Sequence, residues 1–172
     1  MTHKDMYIDG LMTPPTSPQG SAHVLHPLLV YDPSGRLRCD VSRDVSNVRL
    51  RPGMALPTLD EFALKASATR MVIHISGSPW NFEIINARGI TVRDILARLC
   101  EAMNYNVGNP EFLMFDQGVR NIATFSFHQR SGDQGFQNGM KRFDFLGGNR
   151  FFVGLRKARD GHGWDASFAS LA

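Results

Sequence analysis

Two short runs of alternating apolar residues constrain the fold of this chain more than any other feature. The first run is Met71–Ile75, the second is Trp80–Ile84, and Ser76–Pro79 lies between them. A period of two places every second side chain on one face of a strand, and a short link with Gly and Pro suits a hairpin. We therefore predict a β-hairpin with one face on the core. The side chains expected on that face are Met71, Ile73, Ile75, Trp80, Phe82 and Ile84.

The segment after the hairpin has the periodicity of an amphipathic helix. Thr91 stands at its start, and Asp94 three residues later gives an acidic variant of the capping box. The apolar residues recur at intervals of three and four, which is the stripe of a helix that lies on a sheet. These residues are Val92, Ile95, Leu96, Leu99, Cys100 and Met103.

The patterns before the hairpin indicate shorter elements. We expect an opening strand at Leu25–Tyr31 and a second strand at Arg36–Val41, whose alternation gives it one apolar face. Residues 43–57 contain two prolines, which predicts a surface loop. Thr58–Glu61 has the spacing of a capping box and predicts a short helix from Leu59 to about Ala66.

A second long helix is predicted after the first. Asn109 and Pro110 are typical of a helix start, and apolar residues then continue at helical spacing to about Phe127 or Arg130. Gly118 and the alternating run 124–127 weaken this prediction, because the run is also typical of a strand. A glycine-rich stretch from Ser131 to Gly139 predicts a mobile loop.

The last part of the chain predicts more strands. Phe143 and Phe145 flank Asp144 in a strand, Gly147–Gly148 forms a tight turn, and Phe151–Leu155 returns as the partner strand. A final short strand follows from Trp164 to Phe168. Strands, two helices and further strands in this order predict an α+β domain with an antiparallel or mixed sheet, packed on one face by two main helices.

The domain is expected to occupy residues 23–172, after a disordered tail at residues 1–22. The tail holds several prolines and little that could be buried. Thr13 and Ser17 each precede a proline, so both are candidate sites of proline-directed phosphorylation. An unmodified leader is the simpler alternative.

Composition places the chain among ordinary globular proteins. It has 172 residues, 42% of them hydrophobic and 20% charged, with a formal net charge of +3. These values exclude wholesale disorder and coiled coil, and no apolar run is long enough for a membrane helix. We find no secretory signal, so we expect a cytoplasmic or nuclear protein. Cys39 and Cys100 are expected to be small buried apolar residues, with a disulfide or a nucleophilic cysteine as the alternatives.

The sequence contains no motif typical of a catalytic, cofactor or metal site, so no catalytic residue, cofactor or metal ligand is predicted. The strand Arg150–Leu155 is similar to an aromatic strand of RNA-recognition domains, and basic residues surround it. The simpler interpretation is a core strand with solvated cations beside it. His26 lies three residues after His23, but Pro27 disfavours the helix that would bring the two together.

Several stretches together resemble the fungal family DUF6699, a domain of unknown function. The resemblance covers residues 25 to 169, and its most specific pieces are the opening Leu25–Leu29 and the turn Asp144–Gly148. It implies a fungal intracellular protein with a small α+β fold, and it supplies no reaction, cofactor or catalytic residue. His26 then sets the entry to the first strand, while Asp144 binds turn amides or pairs with Arg150 across the hairpin. His26, Asp144 and Arg150 are the candidate ligand or interaction residues.

Three functions are compatible with these patterns. The first is a non-catalytic interaction or ligand-binding module, for which we expect a protein partner. The second is nucleic-acid binding through the basic, aromatic last third of the chain. The third is an enzyme of unrecognised type. No membrane partner is expected, and the sequence leaves a homo-oligomer open.

Overall fold

The computed structural model describes residues 24–132 and 138–170. The predicted tail, with Thr13 and Ser17, lies outside the described residues, as does the centre of the glycine-rich stretch. Within the described part of the chain, no helix is both long and apolar enough to cross a membrane. The helices and strands are β1 (Leu37–Arg38), β2 (Arg49–Leu50), β3 (Arg70–Ile75), β4 (Asn81–Ile85), α1 (Val92–Met103), α2 (Asn109–Leu113), α3 (Gln117–Ser131), β5 (Phe151–Lys157) and β6 (Trp164–Ala169).

The main sheet has four strands in the order β4-β3-β6-β5. β3 pairs with β6 in parallel, and the two outer pairings are antiparallel, so the sheet is mixed. The predicted hairpin is confirmed as β3 and β4, with Ile73 opposite Phe82. The side chains predicted on its apolar face, including Trp80 just before β4, are all buried. The α+β class with a mixed sheet is therefore confirmed.

α1 is the helix that the sequence predicted most closely. Thr91 accepts a hydrogen bond from the Asp94 N–H at 3.2 Å, and Asp94 accepts one from the Thr91 N–H at 2.9 Å, which completes the capping box. All six residues of the predicted stripe are buried, and Ala102 is buried with them. Burying this stripe against the sheet supplies most of the stabilisation of such a helix.

The second predicted helix is divided into α2 and α3. α2 ends at Leu113, and Asp116 then starts α3 by accepting a hydrogen bond from the Val119 N–H at 2.9 Å. The run 124–127 is helical, so the helical interpretation of this ambiguous stretch is confirmed. Among the residues of α3 only Ala123 is buried. α3 is thus far less embedded than α1, although it is longer.

The hairpin predicted at Phe143–Phe145 is wrong. This segment belongs to a 3₁₀ helix at Arg142–Leu146, and β5 pairs with β6 instead. Asp144 accepts a hydrogen bond from the Lys141 N–H at 2.8 Å, which closes a turn that an extended strand could not make. Phe143 and Phe145 are both buried, although they do not alternate along a strand.

Two predictions near the start of the described chain are also wrong. Leu25–Tyr31 forms a turn with single bridges at its ends, rather than a strand. The helix predicted from Leu59 to Ala66 is replaced by a 3₁₀ helix at Leu56–Asp60. The reason is that the next residues bond to neighbouring segments, since the Ala63 N–H donates to Ile90 O at 2.8 Å and Ala63 O accepts from the His26 N–H at 2.8 Å.

Of the predicted strand Arg36–Val41, only Leu37–Arg38 forms β1, paired with β2 in a separate two-stranded ribbon. The apolar face is confirmed, because Leu37, Cys39 and Val41 are all buried. The predicted loop 43–57 contains β2, so this part of the loop prediction is wrong.

Candidate functional site

Asp144 is a buried carboxylate, with 1% of its surface exposed, that lies below α3. Arg130 of α3 donates to it twice, from Nε to Oδ1 at 3.1 Å and from Nη2 to Oδ2 at 2.8 Å. The Lys141 N–H adds a third hydrogen bond. The sequence predicted that Asp144 binds turn amides or pairs with Arg150. The turn amide is confirmed, but the carboxylate is buried and its arginine partner is Arg130 rather than Arg150.

This ion pair anchors α3 to the rest of the domain. The Arg130 guanidinium lies 5.2 Å from the ring centre of Phe143 and 5.4 Å from that of Phe127. A bidentate guanidinium–carboxylate contact with aromatic rings around it fixes both side chains in one geometry. The pair therefore acts as a structural clamp at one end of the site.

A cleft of about 650 Å³ opens beside this clamp, between α3 and the segment that runs from Phe143 to Arg150. Asp144 and Arg150, two of the three candidates from the sequence, both line it. The Nε atom of Arg150 is buried and has no hydrogen-bond partner among the described residues. A buried donor without a partner carries a desolvation cost that a bound acceptor would offset.

The outer wall of the cleft is apolar. Ile122 and Phe125 of α3 both line it, and 49% and 65% of their surfaces are exposed. Gly147 allows α3 to come this close, because a Cβ at this position would lie 2.9 Å from Ile122 Cγ2 and its φ of 57° favours glycine. In the sequence, Ile122 and Phe125 fit the face of a predicted helix, and nothing in that pattern indicated that they line a cleft.

Among the described residues, the charges in the cleft leave one cation available. Arg130 and Asp144 neutralise each other, and Arg150 has no ion pair among the described residues. The remaining polar lining is neutral, from Asn121, Ser126 and Gln129. One guanidinium beside two exposed apolar side chains suits a ligand that carries a carboxylate next to an apolar group.

His26, the third candidate, does not line this cleft. Its Nε2 atom lies 3.0 Å from Glu61 Oε2, and its Nδ1 atom accepts a hydrogen bond from the Leu28 N–H at 3.2 Å. The contact with Glu61 holds the opening turn against the segment after the 3₁₀ helix at Leu56–Asp60, and the contact with Leu28 lies within the turn itself. His26 therefore has a structural part in the described fold.

Three basic residues of the last third each contact another side chain of the domain. Arg142 lies 3.0 Å from Glu111 and over the Trp80 ring. Arg156 stacks on Tyr31 at 3.5 Å from its ring centre, and Lys157 lies over Trp164. These cations already have partners within the domain, so they offer a nucleic acid less than the sequence indicated.

The two cysteines are buried, free and in contact. Their sulfur atoms are 3.7 Å apart, one after β1 and the other in α1. The hydrogen bond from Cys39 lowers the pKa of Cys100, and the same hydrogen bond, together with burial, raises the pKa of Cys39 well above its usual range. The prediction of small buried residues is confirmed, and the two thiols are hydrogen-bonded to each other.

Residues 24–132 and 138–170 contain no group of three or more His, Cys, Asp or Glu side chains that could hold a metal ion.

One of three comparisons with known proteins supports the family resemblance seen in the sequence. The other two found no curated protein and no solved structure that matches this chain. A family model described as a family of unknown function, DUF6699, matches residues 37–161, which include the clamp, the cleft and both cysteines. The chain therefore belongs to the DUF6699 family.

Proposed function

We propose that the domain is a non-catalytic interaction module whose cleft binds a protein segment carrying an acidic side chain next to a large apolar one. The observation that carries this proposal is the unpartnered, buried Arg150 Nε beside the exposed Phe125 and Ile122. The sequence and its family resemblance favour a position for this module in the cytoplasm or nucleus of a fungal cell.

Charge and shape both support this choice of partner. Arg150, which forms no ion pair among the described residues of the cleft, favours a carboxylate, and a guanidinium binds a carboxylate with two parallel hydrogen bonds. The apolar wall on α3 offers a surface for an aliphatic or aromatic side chain, as in other helix-lined grooves. The clamp between Arg130 and Asp144 keeps that wall in place, so little ordering is needed when a partner binds.

Selection from a random peptide library displayed on phage, with the full chain as bait, tests the proposal. Enriched peptides should share an Asp or Glu next to Leu, Ile, Phe or Trp. One synthetic peptide from the selection is then titrated into wild-type protein by calorimetry. Phe125→Ala and Arg150→Gln should each weaken its binding at least tenfold, because each removes one half of the recognition.

Ile85→Ala is the matched control, since Ile85 is 71% exposed on β4 and does not line the cleft. It should leave peptide affinity unchanged, while thermal melting confirms that every variant folds. The proposal is overturned if enriched peptides are basic, or if they bind the Phe125→Ala and wild-type proteins equally. Sedimentation that shows a dimer lost on Phe125→Ala would also overturn it, because a second copy would then occupy the cleft.

A further inference from the structure

The triplet Arg-Leu-Arg occurs twice in the sequence, at residues 36–38 and 49–51. The structure pairs the two triplets in the antiparallel ribbon of β1 and β2, with Leu37 opposite Leu50 and Arg38 opposite Arg49. The Arg51 N–H donates to Arg36 O at 3.1 Å, which extends the same register by one more pair. Each arginine of one triplet thus faces an arginine of the other.

The alternation of a strand separates the two residue types. Leu37 is buried and Leu50 is half-buried, so the leucine side of the ribbon packs towards the core. The arginines occupy the alternate positions and are all exposed. We call this set the arginine ribbon, and its members are Arg36, Arg38, Arg49 and Arg51.

The arginine ribbon is poorly neutralised by the rest of the domain. Arg36 Nε lies 3.3 Å from Asp32 Oδ2, in an exposed ion pair. Arg38, Arg49 and Arg51 form no ion pair within the described residues. Like charges that face each other across two strands destabilise the pairing. Stability alone would favour an opposite charge or a neutral residue at one of these positions.

An aromatic side chain lies next to the cations. Phe151, at the start of β5, is half-buried. Together with Arg38 and Arg49 it lines two adjoining hollows, one of about 540 Å³ and one of about 230 Å³. Paired rows of arginine beside a partly exposed aromatic ring form the arrangement that binds single strands, where cations follow the phosphates and rings stack on bases.

We propose that the arginine ribbon binds the backbone of a single-stranded nucleic acid, with Phe151 contacting a base. Three guanidinium groups that form no ion pair among the described residues, set in two rows, fit a polymer with repeated phosphates better than an isolated phosphate group. Two strand residues span about 7 Å, so the ribbon covers only a few nucleotides. This surface is distinct from the α3 cleft, and the two proposals stand independently.

The test uses the full chain and fluorescein-labelled twelve-nucleotide oligo(U) and oligo(dT), followed by fluorescence anisotropy across a range of salt concentrations. For three cations engaged with a single strand, the logarithm of the association constant should fall with the logarithm of salt concentration at a slope of about −2. The double variant Arg38→Gln, Arg49→Gln should reduce the slope to about −0.7 and weaken binding roughly tenfold or more at low salt.

The control variant Arg88→Gln, Arg159→Gln removes the same charge from two exposed arginines outside the ribbon. It should leave the slope unchanged and the affinity within about twofold of wild type. Phe151→Leu keeps an apolar side chain but removes the ring, so it should weaken binding without a change of slope. Arg150→Gln, which alters the α3 cleft, should bind the oligonucleotides like wild type.

Three results would overturn the proposal. One is equal weakening in the two double variants, which would show attraction to overall charge alone. Another is affinity that does not depend on salt. The third is displacement of the oligonucleotide by a phosphoserine peptide at lower concentration than by unlabelled oligo(U), since a phosphorylated protein would then be the better ligand.

Discussion

Arg130 and the arginine ribbon show two opposite environments for the same side chain. The domain supplies Arg130 with a buried carboxylate, two hydrogen bonds to it and two aromatic rings. It places Arg38 directly opposite Arg49, with no ion pair for either among the described residues. A compensated arginine stabilises the fold, whereas an uncompensated pair lowers stability and leaves its charge available to a ligand.

The contrast depends on solvent. Asp144 is removed from water, so loss of its partner would leave a charge that nothing screens. The arginine ribbon is exposed, and water and salt reduce the repulsion between its members to a tolerable cost. Substitutions at the two places should therefore change stability in opposite directions.

Asp144→Ala should have the largest effect. It leaves Arg130 without its carboxylate and the Lys141 N–H without an acceptor, so we expect a loss of about 3 kcal/mol in the free energy of unfolding. Urea denaturation followed by circular dichroism measures it. Asp60→Ala is the control, because Asp60 forms a comparable but exposed pair with Arg93 at 2.6 Å. A loss as small as that of the control would contradict the clamp.

Arg130→Lys should cost less, about 1 kcal/mol, since an ammonium group keeps the charge but cannot make both contacts with Asp144. The same denaturation experiment measures this difference. Stability equal to wild type would show that only the charge of Arg130 matters, and that its two-point geometry does not.

The double variant Arg38→Gln, Arg49→Gln should gain about 0.5 kcal/mol at low salt, because a repulsive cross-strand pair is removed. The gain should shrink as salt is raised, since exposed charges are screened. Thermal melting at 20 mM and 500 mM sodium chloride distinguishes this from a packing effect. A destabilised variant would mean that these arginines stabilise the ribbon, which would contradict the cost assigned to the cross-strand arginine pair.

Asp32→Asn should have the smallest effect on stability. Asn keeps an acceptor for the Ser34 N–H, which now lies 2.9 Å from Asp32 Oδ1, but it removes the counter-charge of Arg36. We expect a slight destabilisation at low salt and tighter binding of oligo(U). Unchanged oligonucleotide affinity would indicate that Arg36 takes no part in binding.

The pH dependence of this variant has a definite sign. Hydrogen bonds from the Ser34 hydroxyl and N–H lower the pKa of Asp32. A carboxyl group with a lowered pKa stabilises the fold above its unfolded pKa and loses that contribution as the pH falls below about 4. The stability difference between wild type and Asp32→Asn should therefore be present at pH 7 and shrink as the pH falls below the unfolded pKa of about 4.

The sequence predicted helices and strands most accurately where one hydrophobic pattern allowed only one structure. The stripe of α1 and the alternation of β3 and β4 each have a single way to bury their apolar residues, and both were confirmed. The strand predicted at Phe143–Phe145 was wrong, because an Asp with Phe on both sides also fits a turn in which the Asp is the buried group. Local pattern could not show that Arg130, fourteen residues earlier, would supply the partner.

The candidate sites show the same difference between what a local pattern predicts and what only the fold determines. Asp144 and Arg150 were singled out and do line one cleft. Of the two alternatives for Asp144, the turn amide is confirmed, and Arg130 takes the place of Arg150 as its partner. The arginine ribbon was missed because its second triplet lay in a segment expected to be a loop. The repeated Arg-Leu-Arg was visible in the sequence, and only the register of β1 with β2 shows that the two copies meet.

The parallel contact between β3 and β6 has a consequence for how the chain is made. β6 lies inside the sheet, yet it begins at Trp164, about ninety residues after β3. While the chain grows from the ribosome, β3 and β4 can pair early, but β3 must wait for its inner neighbour until residues 164–169 have emerged. Contacts this distant in sequence close slowly. During that interval the unpaired backbone edge of β3 is open to chaperones, and to other nascent chains.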